Sequence, residues 1–327
     1  MIVPVIRYRG IASTAMPSLD NKADHKERIM TPDLLIIGDT HLKSKRISKC
    51  LQDTLDSHPS ITRVVFLGDI NDDWHTTPTE RVNGVSDFMG LLDIVSAHAA
   101  EPIVLIGNHD VTYLPTVDST SLLFRNASPG HDYESERRIS VMMSAIDSLR
   151  IAEHIMIAGV PVVLSHAGFT QGWVDTHMPG TDNDPETIVD RANRMFHDGE
   201  WDALYAIGRG RGGFRSTEPS PLWADMHELM RDPATGFDQI VGHTPVSTVN
   251  TVHVLDDGEH VSNLTFCDTM STTYIGFPIG DSSFLLIDTG TGEMNALYDD
   301  GLTDDEVPVS EFDRHGSDTT TTHWMSL

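Results

Sequence analysis

Cysteine is nearly missing from this chain. The 327 residues hold two, Cys50 and Cys267, too few for a disulfide framework or a thiolate metal site, and a reducing, cytoplasmic setting is expected. Long apolar runs are missing as well, since no stretch approaches the roughly 18 residues that a spanning helix needs. The N-terminal Ile2-Val3-Pro4-Val5-Ile6 is short, broken by Pro4, and followed rather than preceded by Arg7 and Arg9, the wrong order for a secretory signal. Positive charge is scarce: 22 Lys and Arg stand against 49 Asp and Glu, a formal charge of −27. Such a surface repels a phosphate backbone, so long nucleic acid is disfavoured as a substrate. No membrane partner is expected, and nothing in the sequence sets the oligomeric state.

What the chain does hold is a repeated strand ending. Leu34-Leu35-Ile36-Ile37 stops at Gly38-Asp39-Thr40-His41, and Val64-Val65-Phe66-Leu67 stops at Gly68-Asp69-Ile70-Asn71-Asp72. Ile103-Val104-Leu105-Ile106 runs into Gly107-Asn108-His109-Asp110, Val162-Val163-Leu164-Ser165 into His166, and Gln239-Ile240-Val241-Gly242 into His243. Continuous apolar runs suit strands covered on both faces, and in α/β sheets binding groups gather at the carboxyl ends of such strands. A lone Asp-x-His is more often a turn with an incidental histidine; five endings of one kind point to one site. Oxygen and imidazole donors without thiolate suit divalent ions such as manganese, iron or zinc. An aspartate able to bridge two ions suggests a pair about 3.5–4 Å apart, the arrangement that activates water for in-line displacement at phosphorus.

Between these endings the periodicity predicts a helix over residues 42–60, with Ile47, Leu51 and Leu55 on its apolar stripe, and another from Val85 to Ala99 behind a loop at 72–78. His98 there reads as a surface residue. Ser135 to Leu149 and Pro185 to His197 read as helices, and Ile155 to Leu164 as a hairpin delivering His166. Strand signals return at Val249–Leu255, Val261–Phe266 and Ser283–Asp288. One large domain over 32–300 is the economical division. Residues 1–31 are expected to form a loosely attached extension, about 111–235 to act partly as a cap over the site, and 301–327, with little to bury, to form a disordered tail.

The ordered motifs D-x-H, G-D-x-x-D, G-N-H-[DE], a later H, and G-H resemble those of the calcineurin-like metallophosphoesterases, over about Asp33 to Asp288. Gly242-His243-Thr244-Pro245 resembles the branch of bacterial and bacteriophage protein phosphatases and symmetrical dinucleoside tetraphosphatases. Many other members read G-H-x-H, so one imidazole is missing here. The resemblance implies an α/β (α+β) four-layer sandwich, two mixed β-sheets flanked by helices, in which the three late strands belong to the second sheet. It implies two divalent ions, manganese first, with iron, zinc, magnesium or nickel as alternatives. Asp39, His41 and Asp69 would hold the first ion, and Asp69, Asn108, His166 and His243 the second. A hydroxide between the ions would attack phosphorus, with His109 as general acid and Asp72 orienting it.

Two departures bear on the substrate. Protein phosphatases read G-D-x-x-D-R-G, where the arginine grips phosphate; here Asp73 stands in that place. Phage-type members often carry an arginine just after a Leu-Trp pair, and here Leu222-Trp223 is followed by Ala224-Asp225. Arg209, Arg211 and Arg215, in a glycine-rich loop, are the candidate replacements; a solvated basic loop would have the same composition. The expected activity is hydrolysis of a phosphate ester or anhydride of a small or nucleotide substrate. The alternatives are a serine/threonine-type phosphoprotein phosphatase and, from another class, a catalytically silent binding protein on the same scaffold.

Overall fold

A computed structural model describes residues 7–8, 33–118, 131, 133–214, 217–256 and 258–298. The apolar runs become parallel neighbours: β2 (Asp33–Ile37), β3 (Ile61–Phe66) and β4 (Glu101–Leu105) lie side by side, flanked by β5 (Leu149–Arg150). On the other edge β11 (Phe284–Asp288) pairs antiparallel with β2, and β12 (Met294–Leu297) with β11, giving a mixed sheet in the order β12-β11-β2-β3-β4-β5. The second mixed sheet contains β1 (Arg7–Tyr8), β6 (Ala152–Ile157), β7 (Val160–Ser165), β8 (Asp238–Val241), β9 (Asn250–Asp256) and β10 (Glu259–Phe266). Its order is β1-β9-β10-β8-β7-β6.

Alternation along each strand explains why both faces had to be apolar. Leu34, Ile36, Val65, Leu67, Ile103 and Leu105 meet Ile155, Ile157, Val162, Leu164 and Ile240 between the sheets. The intervening Leu35, Ile37, Val64, Phe66, Val104 and Ile106 face outward against α1 (Ser44–Ser57) and α2 (Pro78–Ala97), the period of 2 that strand geometry imposes. α3 (Tyr133–Met143) packs beside α2, and α4 (Pro185–Asp198) against β6 and β7. With α5 (Met226–Arg231) covering Val241, Val252, Leu264 and Phe266 through Leu229, the layers run helix, sheet, sheet, helix.

Three expectations need correction. The helix expected from Val85 starts at Pro78, because Thr77 and Glu80 close a capping box with proline at the first turn, a start signal inside what reads as loop. The helix expected over Ser135–Leu149 spans only Tyr133–Met143, and Leu149 enters β5. Ser283–Asp288 does not join the two other late strands: β11 crosses to the first sheet and pairs with β2. The tail at 301–327 and most of 1–31 lie outside the described residues.

Candidate metal centre and reaction site

Because β2, β3 and β4 are parallel, Gly38–His41, Gly68–Asp72 and Gly107–Asp110 all leave the same edge of the first sheet. β7 and β8 are likewise parallel neighbours and bring His166 and His243 to the facing edge of the second. Leaving the strands abruptly strains the chain: His41, Asp69 and His243 adopt φ of 39°, 52° and 63°, a region costly for residues with a side chain. Gly107 is required by close approach, since a Cβ there would lie 2.1 Å from Asp69 Oδ1.

Asp110 ties two of these loops together. Its carboxylate accepts from the backbone amides of Asp69 (2.9 Å), Ile70 (2.8 Å), Asn71 (3.2 Å) and Gly107 (2.9 Å). Motif reading passes over this residue, although it closes the Gly107-Asn108-His109-Asp110 run. Asp110→Ala strands four buried amides and is expected to destabilise the fold by about 3–5 kcal/mol, read as a drop in the denaturant midpoint; a change under about 0.5 kcal/mol would show the loops are held otherwise.

Asp69 Oδ2 is the point of convergence. The Nε2 atoms of His41, His109 and His166 lie 3.9, 3.9 and 3.5 Å from it, and Oδ1 accepts the His109 amide at 2.9 Å. Two groups of potential ligands share this aspartate: His41, Asp69 and His109, and Asp69, His166 and His243.

The donor chemistry fits divalent ions. His166 Nδ1–H donates to the Leu67 carbonyl at 2.8 Å, which leaves a lone pair on Nε2, and that atom faces Asn108 Oδ1 at 2.9 Å and His243 Nδ1 at 3.1 Å. His41 Nδ1–H donates to the Asp72 carbonyl at 2.9 Å, again freeing Nε2 toward the centre. A carbonyl behind each imidazole is how metal-ligating histidines are oriented. Burial pushes the His166 imidazole down, against the pull of Asp69, and burial with Arg211 and the nearby histidines pushes His243 well down, so both stay neutral. His243 Nε2 is buried without a hydrogen-bond partner.

Carboxylates crowd the same volume. Burial, Asp268 and Asp69 raise the Asp39 carboxyl well above its usual range, and burial with Asp69 takes Asp110 up to about 7. Both Asp39 oxygens face the His243 amide, at 3.1 and 2.9 Å. Asp268, fully buried and supported by the Ser271 amide and hydroxyl, is a further neighbour that motif reading missed. Keeping these buried carboxyls ionised calls for compensating cations.

His109 and Asp72 form a separate pair. His109 Nδ1 lies 2.5 Å from Asp72 Oδ1. Burial lowers the imidazole pKa, but Asp69 and Asp72 outweigh it and take it up to about 10, so the ring carries a proton at neutral pH.

The two acidic replacements each hold a cation. Asp73 binds Lys43 Nζ at 2.6 Å, and Lys43 also donates to the His41 carbonyl at 3.3 Å. Asp225 Oδ2 lies 3.3 Å from Arg211 Nε, and Arg211 donates to the His243 carbonyl at 3.3 Å and to Thr244 Oγ1 at 2.8 Å. The structure thus divides the glycine-arginine loop. Arg211 reaches the site, Arg209 lines a neighbouring cavity of about 680 Å³ among Glu218, Asp225, Glu228 and Asp232, and Arg215 lies outside the described residues. Among the described residues no helix is long and apolar enough to cross a membrane.

A family model for calcineurin-like phosphoesterases matches residues 33–269. Among curated proteins none matches the chain. Among solved structures it is similar to a cold-active protein-tyrosine phosphatase of the psychrophile Shewanella sp., at 15% identity over 90% of this chain and 91% of that one, with a TM-score of 0.45. A hypothetical protein from Pyrococcus horikoshii OT3 is 8% identical over 82% and 89%, with a TM-score of 0.38. A structure described as a novel archaeal phosphodiesterase is 10% identical over 81% and 99%, with a TM-score of 0.32.

Proposed function

The chain belongs to the calcineurin-like phosphoesterases, and from that premise we propose that it hydrolyses a phosphate ester or anhydride of a small or nucleotide substrate with two divalent ions. The observation that carries this reading is one carboxylate oxygen, Asp69 Oδ2, facing three imidazole nitrogens within 3.9 Å. In this reading Asp39, His41 and Asp69 hold one ion and Asp69, Asn108, His166 and His243 the other, with manganese the first choice. Such a pair of ions supplies Lewis-acid activation of water and of the phosphoryl oxygens.

The chain's own residues do the rest. His109, protonated and fixed by Asp72, gives its proton to the leaving oxygen. Lys43 and Arg211 flank the centre and offer charge to the phosphate, each held in place by the aspartate that occupies an arginine's position in relatives. A panel of phosphomonoesters, phosphodiesters, dinucleoside polyphosphates and phosphopeptides, assayed with manganese, magnesium, iron and zinc, tests the reading. Activity on phosphopeptides alone would replace it with a phosphoprotein phosphatase, and activity on none would overturn it.

Arg211 gives a sharper check. Arg211→Ala is expected to lower kcat/KM by roughly 10–10³-fold, about 1.5–4 kcal/mol for a charge-assisted hydrogen bond in a partly desolvated site. A change within a factor of about two, the range of ordinary surface substitutions, would remove it from the site.

A further inference from the structure

We propose that Trp74, Tyr274, Ile275 and Phe277 form a platform that stacks the base of a nucleotide substrate, an inference that rests on the phosphoesterase reading above. Four of the ten large hydrophobic side chains left exposed among the described residues stand in these two segments, with exposures of 37, 61, 72 and 52%. Their clustering at one place sets them apart from scattered surface apolar residues.

The platform is built, not loose. Residues 272–278 form a tight turn, with a bridge between Thr272 and Pro278 and the Thr273 amide donating to the Phe277 carbonyl at 2.8 Å. That turn is pinned to the loop following Asp72. Thr272 Oγ1 donates to Asp73 at 3.1 Å, and His75 Nε2–H donates to the Tyr274 carbonyl at 2.9 Å. The Tyr274 ring then meets Trp74 edge to face at 5.3 Å and His75 at 4.5 Å.

Position selects the occupant. Trp74 lies two residues beyond Asp72, the partner of His109, which places its α-carbon at most about 7 Å further along the chain. A ring joined directly to the phosphate oxygen would stop near His109, whereas a base set off by a pentose would extend toward the loop that carries Trp74. Lys43 is turned by Asp73 and the His41 carbonyl toward the metal loops, and Arg81 is engaged by the Thr76 carbonyl, so the surface suits a neutral planar ring. Its area, on the order of a few hundred Å², falls well short of the roughly 800 Å² per partner of a stable protein interface.

The test compares adenosine 5′-monophosphate with ribose 5-phosphate, two competitors that differ only in the base, against hydrolysis of p-nitrophenyl phosphate by the manganese-loaded full chain. Adenosine monophosphate should inhibit about 10-fold more tightly, and this ratio should collapse toward one in Trp74→Ala and Tyr274→Ala while Tyr274→Phe keeps it. A ratio near one in the unsubstituted protein, or an equal ratio in the alanine variants, overturns the platform. So does phosphotyrosine inhibition that weakens in those variants while adenosine monophosphate inhibition holds. Should the chain hydrolyse no phosphate compound, the phosphoesterase reading fails by itself. Quenching of tryptophan fluorescence by adenosine monophosphate and not by ribose 5-phosphate, lost in Trp74→Phe, still decides the platform.

Discussion

Asp69→Asn is expected to lower kcat/KM by about 10³–10⁵-fold, because it weakens both ligand groups at once. An amide offers one neutral oxygen where the carboxylate offers two charged ones, and a bound ion is worth several kcal/mol of transition-state stabilisation. The near-isosteric change keeps Oδ1 available to the His109 amide, so the fold should survive. Elemental analysis should find fewer divalent ions per chain than in the unsubstituted protein. Full metal content with full activity would mean that Asp69 is a structural buried acid and that the centre lies elsewhere.

The next largest effect separates proton transfer from metal binding. His109→Asn should lower kcat by about 10²–10⁴-fold on alkyl phosphates, whose leaving oxygen needs a proton, and much less on an activated aryl phosphate. Asp72 Oδ1, 2.5 Å from Nδ1, favours the protonated ring and fixes its orientation. Asp72→Asn should act in the same direction but less strongly, since the ring keeps its place beside Asp69 and loses only its fixed orientation. Equal losses on both substrates, with metal content unchanged, would argue against a general acid at this position.

Much of this site was legible in the sequence because a strand buried on both faces must be apolar throughout, so the residue where it stops is conspicuous. Asp39, Asp69, Asn108, His166 and His243 each follow such a stop within three residues. What stayed hidden was long-range. Nothing near Ser283 says whether that strand pairs with its predecessors or crosses to β2, since its apolar residues suit either sheet. Lys43 and Asp73 are 30 residues apart, and neither carries a local signal of the other; without that pairing Asp73 reads as an unpaired acid facing phosphate. Asp110 was hidden differently. It stood inside a motif, but its work is to accept four backbone amides, and backbone amides leave no trace in side-chain patterns. The start of α2 was readable in Thr77-Pro78-Thr79-Glu80 and was obscured by the polar loop in front of it.

The proposed two-ion centre is tested most directly by titrating chelator-stripped protein with manganese, counting bound ions by elemental analysis and following p-nitrophenyl phosphate hydrolysis at each ratio. One ion should be held tightly by Asp69, Asn108, His166 and His243. A second should bind at higher manganese concentration to Asp39, His41 and Asp69, and activity should rise with that second ion. Hydrolysis at full rate by the stripped protein, or no divalent ion bound at saturating manganese, would contradict it.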